Sequence, residues 1–231
     1  MSTVVALSDA LAAFVRTLEE EIVLGLRHPK ERLVEDELMA HYGLRRHQVR
    51  AGLAELVRMG LVEHRKNVGA LVRSFERSDI MDLYDMRELL EGHAAALMAC
   101  PAPPADIERL QALQPAHDEA VAAEDARAIF RTNMAFHTAL FSLCPNKALV
   151  ACLHDFARQT HAIRFSGARS APVQARARAE HRAIIDALAA GDKDEVVRLC
   201  KIHIRPSRDE YLAALTPVAV QPLAGDLEKT M

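Results

Sequence analysis

Apolar positions recur every three to four residues along almost the whole chain and alternate in only one short place. In residues 8–27, Leu11, Phe14, Val15, Leu18, Ile22 and Leu26 fall on one helical face. Ser8 stands where an N-cap belongs. His28-Pro29 predicts the helix end, because proline disfavours the α conformation in the residue before it. A second helix is expected over 34–41, a turn at Gly43, and a third helix over 46–59 stopping at Gly60. On the third helix Val49, Leu53, Leu56 and Val57 make the apolar stripe. Gly52 in mid-helix costs about 1 kcal/mol against Ala, which predicts a close helix approach there. Alternation appears in Leu61-Val62-Glu63-His64 and Ala70-Leu71-Val72-Arg73, either side of the turn-rich run Arg65-Lys66-Asn67-Val68-Gly69. Three helices and a small hairpin predict a winged helix-turn-helix over 8–73.

From Glu76 onward the period is helical throughout. Six helices are expected, over 76–99, 103–123, 125–143, 147–166, 172–190 and 192–214. Cys100-Pro101, Pro103-Pro104, Cys144-Pro145-Asn146, Ser166-Gly167 and Gly191 supply breaks between them. Residues 215–231 read as a flexible tail. The expected fold class is mainly α: an N-terminal winged helix-turn-helix plus an all-α helical bundle over 76–214.

Charge sharpens this division. The net charge is -3, yet residues 1–40 carry four Lys/Arg against eight Asp/Glu, while residues 41–73 carry seven against two. A basic block in an acidic chain is a local footprint for a polyanion, or else a solvated basic face. Within it, Arg46 and Arg50 lie one turn apart at the helix end that meets base edges in a major groove. Arg45, His47 and Gln48 share that end, and Lys66, Asn67 and Gly69 form the hairpin tip. No window approaches the roughly 20 apolar residues of a membrane span. Asp9 and Glu19 to Glu21 exclude a signal peptide. Cys100, Cys144, Cys152 and Cys200 form no CxxC pair and read as reduced thiols, so a cytoplasmic protein is expected.

Histidines mark the second half. Asn133 and His137 share a helix face at i, i+4; His181 follows His137 by 44 residues and His203 follows by 22 more, each among apolar neighbours. Three imidazoles and an amide oxygen converging in a bundle would suit a divalent ion: Zn, Ni, Cu or Fe by the imidazoles, with Mn allowed by the oxygen. Spacing alone also fits four polar residues satisfied separately in a core. Cys200, at i, i+3 from His203, is a rival ligand or an inert thiol. His93, His117, His154 and His161 carry no spacing argument.

Residues 11–73 resemble the winged helix-turn-helix of the GntR family of bacterial transcription regulators. The resemblance lies in Gly25, Leu33, Glu35, Leu38, Ala40, Gly43-Leu44, Arg46, Val49-Arg50, Leu53, Leu56, Gly60-Leu61-Val62 and Gly69-Ala70-x-Val72. Residues 76–214 resemble the FCD effector domain of the FadR subfamily, in its VanR-like six-helix variant, opening with Asp79-Ile80-x-x-Leu83-Tyr84-x-x-Arg87-x-x-Leu90-Glu91. That resemblance implies that Asn133, His137, His181 and His203 hold a divalent metal, zinc before nickel or manganese. It implies a homodimer on a pseudo-palindromic double-stranded operator, with Arg46 and Arg50 on bases or phosphates and the wing tip on the backbone or minor groove. It further implies a small organic acid bound at the metal, anchored by Arg87 with Arg164 as second candidate; for Arg87 an ion pair with Glu88 or Glu91 is the plainer alternative.

The chain departs from the family pattern at defined points. Arg45 replaces the usual Ser or Thr, and Arg cannot accept the capping bond. His47-Gln48 replaces Thr-Pro, Ala51-Gly52 replaces Glu-Ala, and Lys30 follows Pro29 where a turn glycine is usual. Asn133 stands for the commoner Asp. A repressor that responds to an organic acid is the leading expectation. A metal-dependent hydrolase is the rival; Glu180, adjacent to His181, is expected to face elsewhere and leave no general base. A purely structural metal with an apolar or acyl ligand is a third reading.

Overall fold

The computed structural model describes residues 9–165 and 170–215. Ser8, Ser166-Gly167 and the tail beyond Leu215 lie outside the described residues. Helix α1 spans Asp9–Val23. It ends before the proline is reached, because Gly25 turns left-handed (φ 73°) and Leu26 and Arg27 bond back to the carbonyl of Glu21. Helix α2 (Glu35–Tyr42) closes on left-handed Gly43, whose N–H reaches Met39 O, and α3 spans Arg46–Arg58. Strands β1 (Val62–Arg65) and β2 (Gly69–Val72) pair antiparallel, Val62 opposite Val72, and Arg32 bridges Leu71 as a third partner. Asn67 takes left-handed φ at the tip, a conformation Asn tolerates. Lys30 takes it too, where the family pattern has glycine.

Leu11, Phe14, Leu18, Leu38, Val49, Leu53, Leu56 and Leu61 form the core of this head. The close approach at Gly52 is present: a Cβ there would stand 2.4 Å from the Phe14 ring of α1. Val57 departs from the expected stripe. It is 39% exposed and turns to the cleft between α3 and the wing.

The second half contains α4 (Arg77–Leu97), α5 (Pro104–Ala112), α6 (Gln114–Ala122), α7 (Ala126–Phe141), α8 (Lys147–Gln159), α9 (His161–Arg164), α10 (Ala171–Ala190), α11 (Lys193–His203) and α12 (Arg205–Leu215). Three of the six expected helices are thus divided. Pro115 and Pro206 lack the N–H that would continue the preceding helix, which breaks 103–123 and 192–214. The break in 147–166 comes at Thr160, whose N–H and hydroxyl both turn back to Ala157 O, at 3.1 and 2.8 Å. The bundle core joins Ala94, Ala95 and Met98 of α4 to Phe136 and Leu140 of α7, Ile184 and Leu188 of α10, and Val196 and Leu199 of α11.

Head and bundle are clamped together through α1. Val23 packs on Phe130 and Phe165. The Glu20 carboxylate binds Arg131 at 2.7 and 3.1 Å and Arg127 at 2.9 Å, both on α7. Glu19 meets Nδ1 of His161 at 3.1 Å. Among the described residues no helix is long and apolar enough to cross a membrane.

Candidate DNA interface and metal centre

The cap problem at Arg45 is solved from the other side. Arg45 accepts nothing, but its own N–H donates to Oε1 of Gln48 at 3.0 Å, so one orphan donor of the first turn is satisfied. Gln48 therefore has a structural task at the helix end. Arg45, Arg46, His47 and Arg50 are exposed around it, as are Lys66 and Asn67 at the wing tip, with Gly69 half-buried behind them. Arg50 Nε stands 2.9 Å from both oxygens of Glu35, and Arg46 reaches Glu35 at 3.3 Å and also pairs with Asp36. A cleft of about 650 Å³ runs between α3 and the wing, lined by Arg46, Arg50 and Leu53 on one side and His64, Val68 and Gly69 on the other. The carboxylates hold both arginines along its rim in the register that the i, i+4 spacing predicts.

In the bundle, His137 of α7, His181 of α10 and His203 at the end of α11 converge: one ring nitrogen of each lies within 4.8 Å of the others. Nε2 of His203 is 3.2 Å from Nε2 of His137. Two nitrogens each about 2.1 Å from one ion, at a roughly tetrahedral angle, stand about 3.4 Å apart, so the pair fits a shared ion. His181 stacks on Phe136 with ring centroids 4.0 Å apart. Burial first, then the charges of Arg164 and His203, hold His137 well below the ordinary imidazole value. Burial and His203 do the same to His181. Neutral imidazoles are the form that binds a metal. Neither nitrogen of buried His181 has a hydrogen-bond partner among the described residues. That donor set, with an orphaned polar ring at its centre, fits a divalent ion. Asn133 is buried one turn before His137 and borders a cavity of about 50 Å³ with Arg164, Glu180 and His203. Cys200 lies in the bundle core, its thiol pushed up by burial, which makes it an inert thiol rather than a ligand.

The arginine candidates separate. Arg87 is 1% exposed and gives Nε and Nη2 to Glu91 at 3.0 and 2.7 Å, which leaves Nη1 without a partner among the described residues. Arg164 borders the cavity, and burial together with the charge of Arg87 pushes its guanidinium down to about 10.

Glu180 does not face away from the cluster as its place beside His181 suggests, though it still leaves no free general base. Its Oε2 accepts from Nδ1 of His203 at 2.7 Å, and its Oε1 accepts from Arg176. Burial raises the carboxyl, but the bonds from His203 and Arg176 outweigh it and leave it below the ordinary range. One residue along a helix turns a side chain about 100°. Because α11 lies beside α10, that turn brings Glu180 to His203 rather than to solvent. It is engaged as an orienting carboxylate and is not a free general base.

Comparison with known families now decides the class. The FCD domain family matches residues 82–206, and the family of bacterial regulatory proteins named gntR matches residues 12–72. The chain belongs to the GntR family and carries an FCD domain. It is a DNA-binding transcriptional regulator and not an enzyme, which closes the hydrolase reading. An L-lactate dehydrogenase operon regulatory protein of Escherichia coli K12 is 26% identical over 223 residues, covering 86% of this regulator and 83% of that protein. The Nta operon transcriptional regulator of Aminobacter aminovorans is 28% identical over 186 residues, covering 80% and 86%. A GntR transcriptional regulator from Rhodococcus sp. RHA1 superposes with a TM-score of 0.73 at 25% identity, over 90% of this regulator and all of that chain. The McbR/YncC protein of Escherichia coli shares the fold, with a TM-score of 0.77 at 17% identity over the same shares.

The clamp residues Glu19, Glu20, Arg127, Arg131 and His161 had no sequence pattern to announce them. They are 111 residues apart in the pair Glu20–Arg131 and meet only because α1 docks on α7.

Proposed function

We propose that this regulator is a homodimeric repressor whose hold on a pseudo-palindromic operator is controlled by a small organic acid bound at a divalent metal in the bundle. The observation that carries the reading is the convergence of His203 on His137 and His181, two buried imidazoles held neutral, beside Arg164. His137, His181 and His203 hold the ion, and Asn133 supplies an oxygen. Zinc suits the set best, with nickel or manganese as alternatives. The ion supplies an open coordination position for a carboxylate oxygen. Arg164 offers a guanidinium to the same carboxylate, and Arg87, through Nη1, offers a further donor behind it. The cavity, about 50 Å³, suits an acid of a few heavy atoms and not an acyl chain. The Escherichia coli relative is named for an operon that handles a small hydroxy acid, in keeping with such a ligand.

The route to DNA is short. Helix α7 carries Asn133 and His137 one turn apart and Arg131, the partner of Glu20, two residues before Asn133; α9 carries both Arg164 and the His161 that meets Glu19. An acid drawn to the ion and Arg164 acts on the two helices that hold the head. It shifts DNA affinity only so far as it binds the two head placements differently. The dimer is supported by α4, where Met86, Leu89 and Leu97 form one exposed apolar stripe, Leu89 at 62% exposure.

The test is operator binding by gel shift in zinc-loaded protein across a panel of small carboxylic acids. One acid that changes affinity at least fivefold, with no effect in Arg164→Ala, supports the reading. A flat response across the panel contradicts it.

A further inference from the structure

His117, on α6, is 1% exposed and lies outside the cluster of three. Its Nδ1 is 2.8 Å from the hydroxyl of Thr132, and that hydroxyl directs its hydrogen to the carbonyl of Ala128, also at 2.8 Å. A hydroxyl has one hydrogen to give, so towards His117 it accepts, and Nδ1 of His117 carries the proton. Nε2 of His117 is then a bare acceptor, buried and without a partner among the described residues. Facing it is His181, 0% exposed, with ring centroids 5.5 Å apart and both nitrogens unpartnered among the described residues. Stacking on Phe136 fixes the plane of the His181 ring but not which nitrogen bears hydrogen. A buried N–H left without an acceptor loses its hydration and gains nothing in return.

We propose that His117 is a positioning residue for the metal centre. When the ion binds, its Nε2 takes up the N–H of whichever His181 nitrogen the ion does not use, and so presents the other nitrogen, unprotonated, to the ion. The structure does not make this bond; a small rotation of the two facing rings would close it. A relay from Ala128 O through Thr132 and His117 thereby does for His181 what Glu180 does for His203. The inference rests on the metal reading above.

The experiment is zinc affinity of the full chain, by competition with a chromophoric chelator, for wild type, His117→Phe, His117→Gln and Thr132→Val. Phe keeps an apolar ring but cannot accept, and is expected to weaken zinc about 10- to 100-fold. Gln restores an acceptor oxygen and recovers most of that loss. Thr132→Val reaches the same bond without touching the buried ring, and weakens zinc several-fold even if the Phe variant fails to fold. Cobalt(II) absorption is expected to be alike in wild type and Gln and altered in Phe. Equal affinity in wild type, Phe and Val variants overturns the inference, as does a Gln variant as weak as Phe. A wild type that binds no zinc overturns the metal reading itself, whatever the variants do.

Discussion

Glu180 and His203 are joined by a hydrogen bond of 2.7 Å from Nδ1 to Oε2, and the opposite nitrogen of the same ring faces His137. The carboxylate fixes the tautomer in which Nε2 is free. Glu180→Ala is expected to weaken zinc about 10- to 100-fold in chelator competition, and Glu180→Gln to fall between, since the amide oxygen still accepts. Operator affinity without any acid is expected to be unchanged in both, because neither touches the head.

Arg50 lies on the exposed face of α3 with its guanidinium held by Glu35. Arg50→Ala is expected to cost about 1–3 kcal/mol of specific operator binding, roughly 5- to 150-fold, with weaker loss on random DNA. Lys66→Ala at the wing tip is expected to weaken both alike and to lower the salt slope by about one. Fluorescence anisotropy across a salt series separates the two roles.

Gly52 leaves room for the Phe14 ring where a Cβ would come within 2.4 Å. Gly52→Ala gains helix propensity of about 1 kcal/mol but forces α1 and α3 apart. The clash is expected to win, lowering head stability by about 1–3 kcal/mol in urea denaturation, with Phe14→Leu in the same chain recovering part of it.

His161 joins head to bundle through Glu19, and its surroundings disfavour its charged form. Burial is the largest cause; Glu19 opposes it, and Arg164 adds to it. Its folded value lies below the unfolded value of about 6.5, so in the range between them the unfolded chain binds more protons. Stability is therefore present above about pH 6.5 and is lost as pH falls through the folded value. His161→Phe is expected to reduce the slope of metal-free protein stability between pH 7 and 5.

The helical period and the glycine and proline breaks make the three-helix head, its hairpin and the all-helical second half legible in the sequence. Gly52 announced the contact with Phe14. The breaks at Leu113, Thr160 and Ile204 were less legible: Pro115 and Pro206 sit one residue inside the next helix, where proline is also tolerated as a starter, and Thr160 acts through a hydroxyl bond that no periodicity records. The three histidines that converge in the bundle could be chosen from eleven by spacing and resemblance. Glu180 and His117 could not, because their part depends on α10 lying beside α11 and on α6 facing α10. The same holds for Glu20, whose partners come from packing between domains.

An ion at His137, His181 and His203 is central to the proposed control of operator binding. Its most direct test is elemental mass spectrometry of the protein purified without a histidine tag and dialysed against metal-free buffer. Close to one divalent ion per chain, lost in His137→Ala while the circular dichroism stays helical, is the predicted result. Less than about a tenth of an ion per chain after zinc loading, or unchanged content in His137→Ala, would contradict it.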